Sequence, residues 1–219
     1  MIHQLLPRTV VAVEAFTDRA GETVFPGEAD LVANAVEGRR REFITARRCA
    51  REALQQFGYP PAPIRPGSHR EPLWPPGVVG SITHCAGYRA AAVGLAKDVA
   101  ALGIDAEPHG PLPDGVLDSV TAIGDAGLLT ELARRDPTTH WDRLLFSAKE
   151  SIYKAWYPLT HRWLGFEDAS LMIDPAAATF SGRLHVSGTR HDGGFDLKEL
   201  HGRYVVAEGL VLTAVTVPD

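Results

Sequence analysis

Apolar and polar positions repeat with a period near two in several short stretches of this chain and with a helical period in two longer ones. TVVAVEAF near the start reads as a strand and is followed by a polar turn containing Gly21, Pro26 and Gly27. From Glu28 to Phe57 the pattern is helical. It predicts two helices separated near Gly38, the second ending at Gly58 before the proline-rich loop YPPAPIRPG. VVGSITHC (78–85), RAAAVGLA (89–96) and VAALGIDAE (99–107) read as strands, with Lys97 and Asp98 turning the chain between the last two. Pro108 stops the third strand, and HGPLPDG leads into a mixed segment from Val116 to Arg135, a candidate mobile or docking region. A helix containing Phe146–Tyr157 follows, then a hydrophobic spot at Trp163 and Phe166, then short strands of which RYVVAE and LVLTAVTV around Gly209 are the clearest. Helices on antiparallel strands in both halves indicate an α+β fold.

Composition narrows the class without changing that picture. The chain has 219 residues, 45% hydrophobic and 22% charged, which is enough for one large domain or two small halves. Its two cysteines, Cys49 and Cys85, have no metal or disulfide-framework spacing, which points to a reducing compartment. No basic leader with a long apolar core opens the chain, and no run approaches the ~18 apolar residues that span a bilayer. A cytoplasmic protein with no membrane attachment is expected. Net charge is −5, which argues against general affinity for nucleic acid, so any anion site must be local.

Three constellations carry candidate chemistry. In GIDAE, strand alternation sends Asp105 and Glu107 to one face about 7 Å apart, with Leu102 and Ile104 on the other. Two carboxylates so placed can share a hard cation such as Mg²⁺, and are also what a half-exposed edge strand presents. In FSAKESIYKAW (146–156), Phe146, Glu150, Tyr153 and Tyr157 fall within an arc of about 60°, with Lys149 and Lys154 on its flanks. A glutamate on an apolar stripe is costly unless it binds a cation or lines a wet cleft. Between positions 39 and 51 lie six arginines and one glutamate. Arg39 and Arg47 border that helix's apolar stripe, where they can reach a phosphate or pair with acids elsewhere. Ser81, Thr83 and His84 add a small polar cluster at a strand end. Phosphate-binding GxxxxGK[ST], HExxH, GxGxxG and serine-hydrolase signatures are all absent.

Taken in order, Arg39 and Arg47, THC at 83–85, GIDAE at 103–107 and FSAKESIYKAW resemble the phosphopantetheinyl transferases of the surfactin-synthetase-activating type, in their actinobacterial branch. HWDR at 140–143, KAWYPLT and RWLGFEDA extend the resemblance. It implies a pseudo-twofold α+β monomer of two similar halves, residues 1–103 and 104–219, with the active site in the cleft between them. It implies transfer of the 4′-phosphopantetheine arm of coenzyme A to a serine hydroxyl of an acyl or peptidyl carrier protein, with Mg²⁺ as cofactor and adenosine 3′,5′-bisphosphate released. Such enzymes activate fatty-acid, polyketide or nonribosomal-peptide synthases. By position, Asp105, Glu107 and Glu150 match the metal carboxylates. Lys149 and Lys154 match lysines near the pyrophosphate, and Arg39, Arg47, Thr83 and His84 match phosphate contacts. Glu150, Lys154 and Asp105 would carry the catalysis. Where relatives often place a phosphate-binding lysine, this chain offers Arg65, His69 and Arg70 as alternatives, with Arg70 counted among the cofactor-binding candidates. Arg134, Arg135 and Arg143 are candidates for meeting an acidic carrier surface. A Mg²⁺-dependent phosphohydrolase and an inactive coenzyme A-binding scaffold are the competing readings.

Overall fold

In a computed structural model that describes residues 1–219, α1 (Glu37–Gln56) lies on a three-stranded antiparallel sheet of β1 (Val10–Ala15), β2 (Val78–Cys85) and β3 (Tyr88–Leu95), ordered β1-β3-β2. The rest of the chain builds β4 (Ala101–Pro108), α2 (Val116–Val120), α3 (Asp125–Arg135), α4 (Trp141–Thr160), β5 (Ala169–Asp174), β6 (Thr179–Leu184), β7 (Glu199–Ala207) and β8 (Leu210–Val217). Its five strands form one antiparallel sheet ordered β4-β8-β7-β6-β5. Two 20-residue helices, each with a sheet, give the α+β class expected. β4 belongs entirely to the second sheet, so the sheets change between Leu95 and Ala101, a few residues before Gly103. No helix is long and apolar enough to cross a membrane.

Gly38 does not separate two helices. It lies in the first turn of α1, and the preceding helical pattern is a 3₁₀ turn at Ala29–Val32. A glycine in a helix costs about 1 kcal/mol against alanine but does not break it when the apolar stripe continues past it. Here Cys49, Ala50, Ala53 and Leu54 carry that stripe onto β2 and β3. The stop at Gly58 stands, its φ of +84° being a left-handed conformation that suits glycine. β5 and β6, which carry weak alternation, emerge only in the folded chain.

Alternation along β4 places the site. Leu102, Ile104 and Ala106 pack with Tyr88, Ala90 and Ala92 of the first sheet and with Leu212 and Ala214 of β8, forming an apolar seam between the halves. The odd-numbered positions face α4. Along that seam the sheets are joined by side chains, not by a backbone ladder: Ile104 N–H donates to Ser81 Oγ at 3.1 Å and Ala106 N–H to Thr83 Oγ1 at 3.0 Å. Burial of Leu144, Leu145, Ile152 and Trp156 against Val211 and Val215 fixes α4 on the sheet, each such side chain contributing about 1.5–3 kcal/mol.

Candidate functional site

Glycine in GIDAE sets the spacing of everything else. A Cβ on Gly103 would lie 2.0 Å from Ser151 O and 2.8 Å from Ala155 N, both backbone atoms of α4 that cannot swing away. Helix and strand therefore touch backbone to backbone, and Glu150, Ser147 and Lys154 are brought over Asp105. Gly103→Ala is expected to push α4 outward and destabilise by about 1–3 kcal/mol. Transfer activity should fall by more than the melting shift explains, and an unchanged turnover with a lowered Tm would show that the close approach does not position the site.

Asp105 is buried at the centre. Its Oδ1 accepts from Lys154 Nζ at 2.8 Å and, at longer range, from Thr83 Oγ1 at 3.4 Å. Its Oδ2 accepts from Ser147 Oγ at 2.8 Å, and Ser147 also meets Thr213 on β8. Glu107 accepts from Arg143 at 2.8 Å, yet burial first and Asp105 second push its carboxyl above the usual carboxylate range. Glu150 is also pushed up, by burial against the opposing pull of Lys154 and with added repulsion from Asp105 and Glu107. No hydrogen bond stabilises its ionised form.

The carboxylates feel one another, but no three acidic, imidazole or thiol groups are gathered tightly enough to grip one cation. Arginine and lysine hold two of the three expected metal carboxylates. Glu150 alone lacks a partner, and as a half-buried acid opening on a cleft it is the group whose charge calls for a cation. Hard oxygens in this number suit Mg²⁺, which takes one or two carboxylates and completes its shell with water and phosphate.

Glu150 therefore lowers metal-free stability at neutral pH. A carboxyl whose pKa is raised by folding binds its proton more tightly folded than unfolded, so stability falls as pH rises from the unfolded value through the folded one. Glu150→Gln in EDTA at pH 7.5 is expected to raise Tm, with the gain vanishing near pH 4. A lowered Tm would mean that the acid has a stabilising partner.

The two lysines part company. Lys154 Nζ donates to Asp105 and to Ile104 O at 3.0 Å, leaving one of its three N–H groups for a ligand. Lys149, expected near phosphate, is turned away. Its ammonium donates to Asp125 Oδ2 at 2.6 Å, Phe166 O at 2.8 Å and Val120 O at 2.9 Å, so all three protons are spoken for. The reason is angular: the two residues lie about 140° apart around the helix and cannot face one anion.

On the first half, Arg39 lies against His84, 3.1 Å from its Nδ1, and reaches Glu42 at 3.5 Å. Burial first and Arg39 second push His84 down to about 4, with Glu42 opposing. His84 is thus neutral at pH 7, and its 3.3 Å approach to Glu42 is a neutral contact there. Arg47 stacks 3.7 Å over the Phe43 ring and donates to Ile64 O at 3.2 Å. Burial lowers its pKa to about 10, which leaves it charged. Fully buried Glu28, unnoticed in the sequence, anchors this corner by accepting from Arg51 at 2.8 Å and Ile64 N at 2.7 Å, 4.0 Å from Arg47.

Thr83 is committed to the seam: it is buried, accepts from Ala106 N and points at Asp105, so it is an organiser of the carboxylate and not a free phosphate donor. Arg65 is held by Asp30 at 2.6 Å and by Gly27 O at 2.8 Å. His69 bonds Tyr157 on α4 at 2.6 Å, which brings its loop across to the second half. Arg70 stays exposed at φ +70°.

The start of the segment after β4, a candidate mobile or docking region, is bonded to α4 at residues 110–112. Arg143 donates to Glu107, to Gly110 O at 3.1 Å and to Pro111 O at 2.6 Å, and Asp142 accepts from Leu112 N at 2.7 Å. Arg143 thus supports Glu107 and is committed to contacts within the molecule. Arg135 pairs with Glu131 on α3. Beside Glu150 opens a cleft of about 120 Å³ lined by Tyr153, Trp163, Leu164, Gly165, Phe166 and Ala169, with Lys149 at its base.

Comparisons with known proteins identify a family for both halves of the chain. Residues 27–94 fit the family described as 4′-phosphopantetheinyl transferase N-terminal domain, and residues 101–207 fit the 4′-phosphopantetheinyl transferase superfamily. The gap between the two matches coincides with the turn where the sheets change. The chain is 54% identical to the 4′-phosphopantetheinyl transferase Svp of Streptomyces mobaraensis, over 99% of this chain and 89% of the relative. It is 49% identical to the 4′-phosphopantetheinyl transferase PptT of Mycobacterium tuberculosis, over 98% of this chain and 97% of the relative. It is 32% identical to enterobactin synthase component D of Salmonella typhimurium, over 67% of this chain and 60% of the relative.

Proposed function

The chain belongs to the 4′-phosphopantetheinyl transferase superfamily, whose members modify carrier proteins with the arm of coenzyme A, and on that premise we propose how these residues do it. Coenzyme A occupies the cleft between residues up to about 95 and residues from 101, the two halves defined by the sheets. Its 3′-phosphate and pyrophosphate meet Arg39, Arg47, neutral His84 and the unused proton of Lys154, with exposed Arg70 at the rim. Its arm lies along Tyr153, Trp163 and Phe166.

Asp105, Glu107 and Glu150 would hold Mg²⁺, which when bound neutralises pyrophosphate charge and polarises the phosphorus under attack. The carrier serine Oγ forms a bond to the phosphorus of the arm's phosphate while the P–O bond to adenosine 3′,5′-bisphosphate breaks. Glu150, directly or through a bridging water, takes the serine proton. Lys154, held by Asp105, stabilises the departing phosphate. The observation that carries this reading is the meeting of one partnerless glutamate with a lysine-clamped aspartate above an aromatic cleft. The protein acts as a cytoplasmic monomer on acyl or peptidyl carrier domains, without nucleic acid or membrane.

Incubation with apo carrier proteins, coenzyme A and Mg²⁺ is expected to add the arm to a serine, read by intact-mass spectrometry, and EDTA is expected to stop it. Release of phosphate without carrier modification would move the assignment to a hydrolase.

A further inference from the structure

Lys149 sits in the most specific stretch of the sequence, next to the site's free glutamate, yet its ammonium contacts no open space. The side chain is 2% exposed and its partner Asp125 is 0% exposed. Asp125 itself fastens two other pieces of chain, accepting from Ala122 N at 2.7 Å and from Leu171 N of β5 at 3.0 Å. One ion pair thus joins the end of α2, the start of α3, β5 and Phe166 O. Phe166 and its neighbours Trp163, Leu164 and Gly165 form one wall of the aromatic cleft, on a stretch with little regular structure. Phe166 also stacks on Phe146, with centroids 5.7 Å apart.

We propose that Lys149 is a positioning residue for the coenzyme A arm: through Asp125 and the Phe166 carbonyl it holds the Trp163–Phe166 wall in place, and it does not touch the phosphates. This rests on the reading that coenzyme A occupies the cleft. A short irregular wall has few backbone hydrogen bonds of its own and would otherwise order only on ligand binding, which costs affinity. The buried pair removes that cost for the arm alone.

Coenzyme A and adenosine 3′,5′-bisphosphate separate the alternatives, because the second carries the nucleotide phosphates without the arm. The paired variant Lys149→Met with Asp125→Asn removes both buried charges together and keeps the fold testable. It is expected to raise the KM for coenzyme A about tenfold, roughly 1.4 kcal/mol. Saturated kcat and the inhibition constant of adenosine 3′,5′-bisphosphate should stay within about twofold, a difference of only ~0.4 kcal/mol. Amide exchange at Ala122 and Leu171 should quicken. Equal weakening of both ligands would make Lys149 a phosphate ligand and overturn the proposal. Asp125→Asn alone supplies the second arm: a positioning role predicts weaker coenzyme A, whereas a phosphate-binding lysine released from its partner would bind both ligands as well as before or better. A wild-type protein that binds neither ligand would instead overturn the assignment of the cleft.

Discussion

Asp105→Asn is expected to lower kcat/KM for carrier modification by on the order of a thousandfold, the scale on which a preorganised charge at a reacting centre contributes. The substitution keeps volume and removes one negative charge. Asp105 faces Lys154, Ser147 and Thr83 at once, and an amide there offers Lys154 only one uncharged acceptor oxygen and obliges the Ser147 hydroxyl to turn its proton toward Thr213. Lys154 loses the charged acceptor that aims it, and Glu150 loses part of the repulsion that raises its carboxyl. Intact-mass kinetics on one apo carrier measure the loss, with a melting curve as control. A fall below tenfold in a folded variant would remove Asp105 from the centre of the mechanism.

Lys149→Met is expected to give the largest loss of stability of any conservative change near the site. It leaves Asp125 charged and buried, which costs about 3–5 kcal/mol when one partner of such a pair is deleted. For a chain of this length that corresponds to a Tm lowered by about 6–20 °C. Asp125→Asn in the same chain should recover part of the loss, because both charges are then gone, while the single amide oxygen can serve only one of Ala122 N and Leu171 N, which bond to different oxygens of the aspartate. Denaturant unfolding of the two single variants and the pair yields the coupling directly. A single-variant loss under 1 kcal/mol, or no recovery in the pair, would show that the two charges do not depend on each other.

A charge pattern alone does not record which partners an arginine has within the fold, as Arg143 shows. At the start of α4 it reads as one more exposed arginine suited to an acidic partner. Folded, it carries Glu107 and two carbonyls of the segment that leaves β4, so its charge is already spent inside the molecule.

The strands at 78–85, around 89–96 and ending at 107, the helix through Phe146–Tyr157 and the α+β class were legible in the sequence, because side-chain periodicity records which face of an element leaves water. The same alternation set Asp105 and Glu107 on the face opposite Leu102 and Ile104, and the helical stripe set Glu150 among aromatic rings. The order of the motifs along the chain was enough to indicate the family. Periodicity does not record what a buried face meets. Lys149 and Lys154 look alike in sequence, and only packing sends one to Asp125, 24 positions away, and the other to Asp105, 49 positions away. Thr83 became part of the seam because the buried edge N–H groups of β4 that do not pair with β8 need acceptors and the first sheet supplies hydroxyls. Gly38 looked like a break and is not one, while Gly103 looked like part of a motif and is the point where two backbones touch. These choices rest on contacts between residues far apart in the chain, and such contacts exist only once the two sheets and α4 have packed.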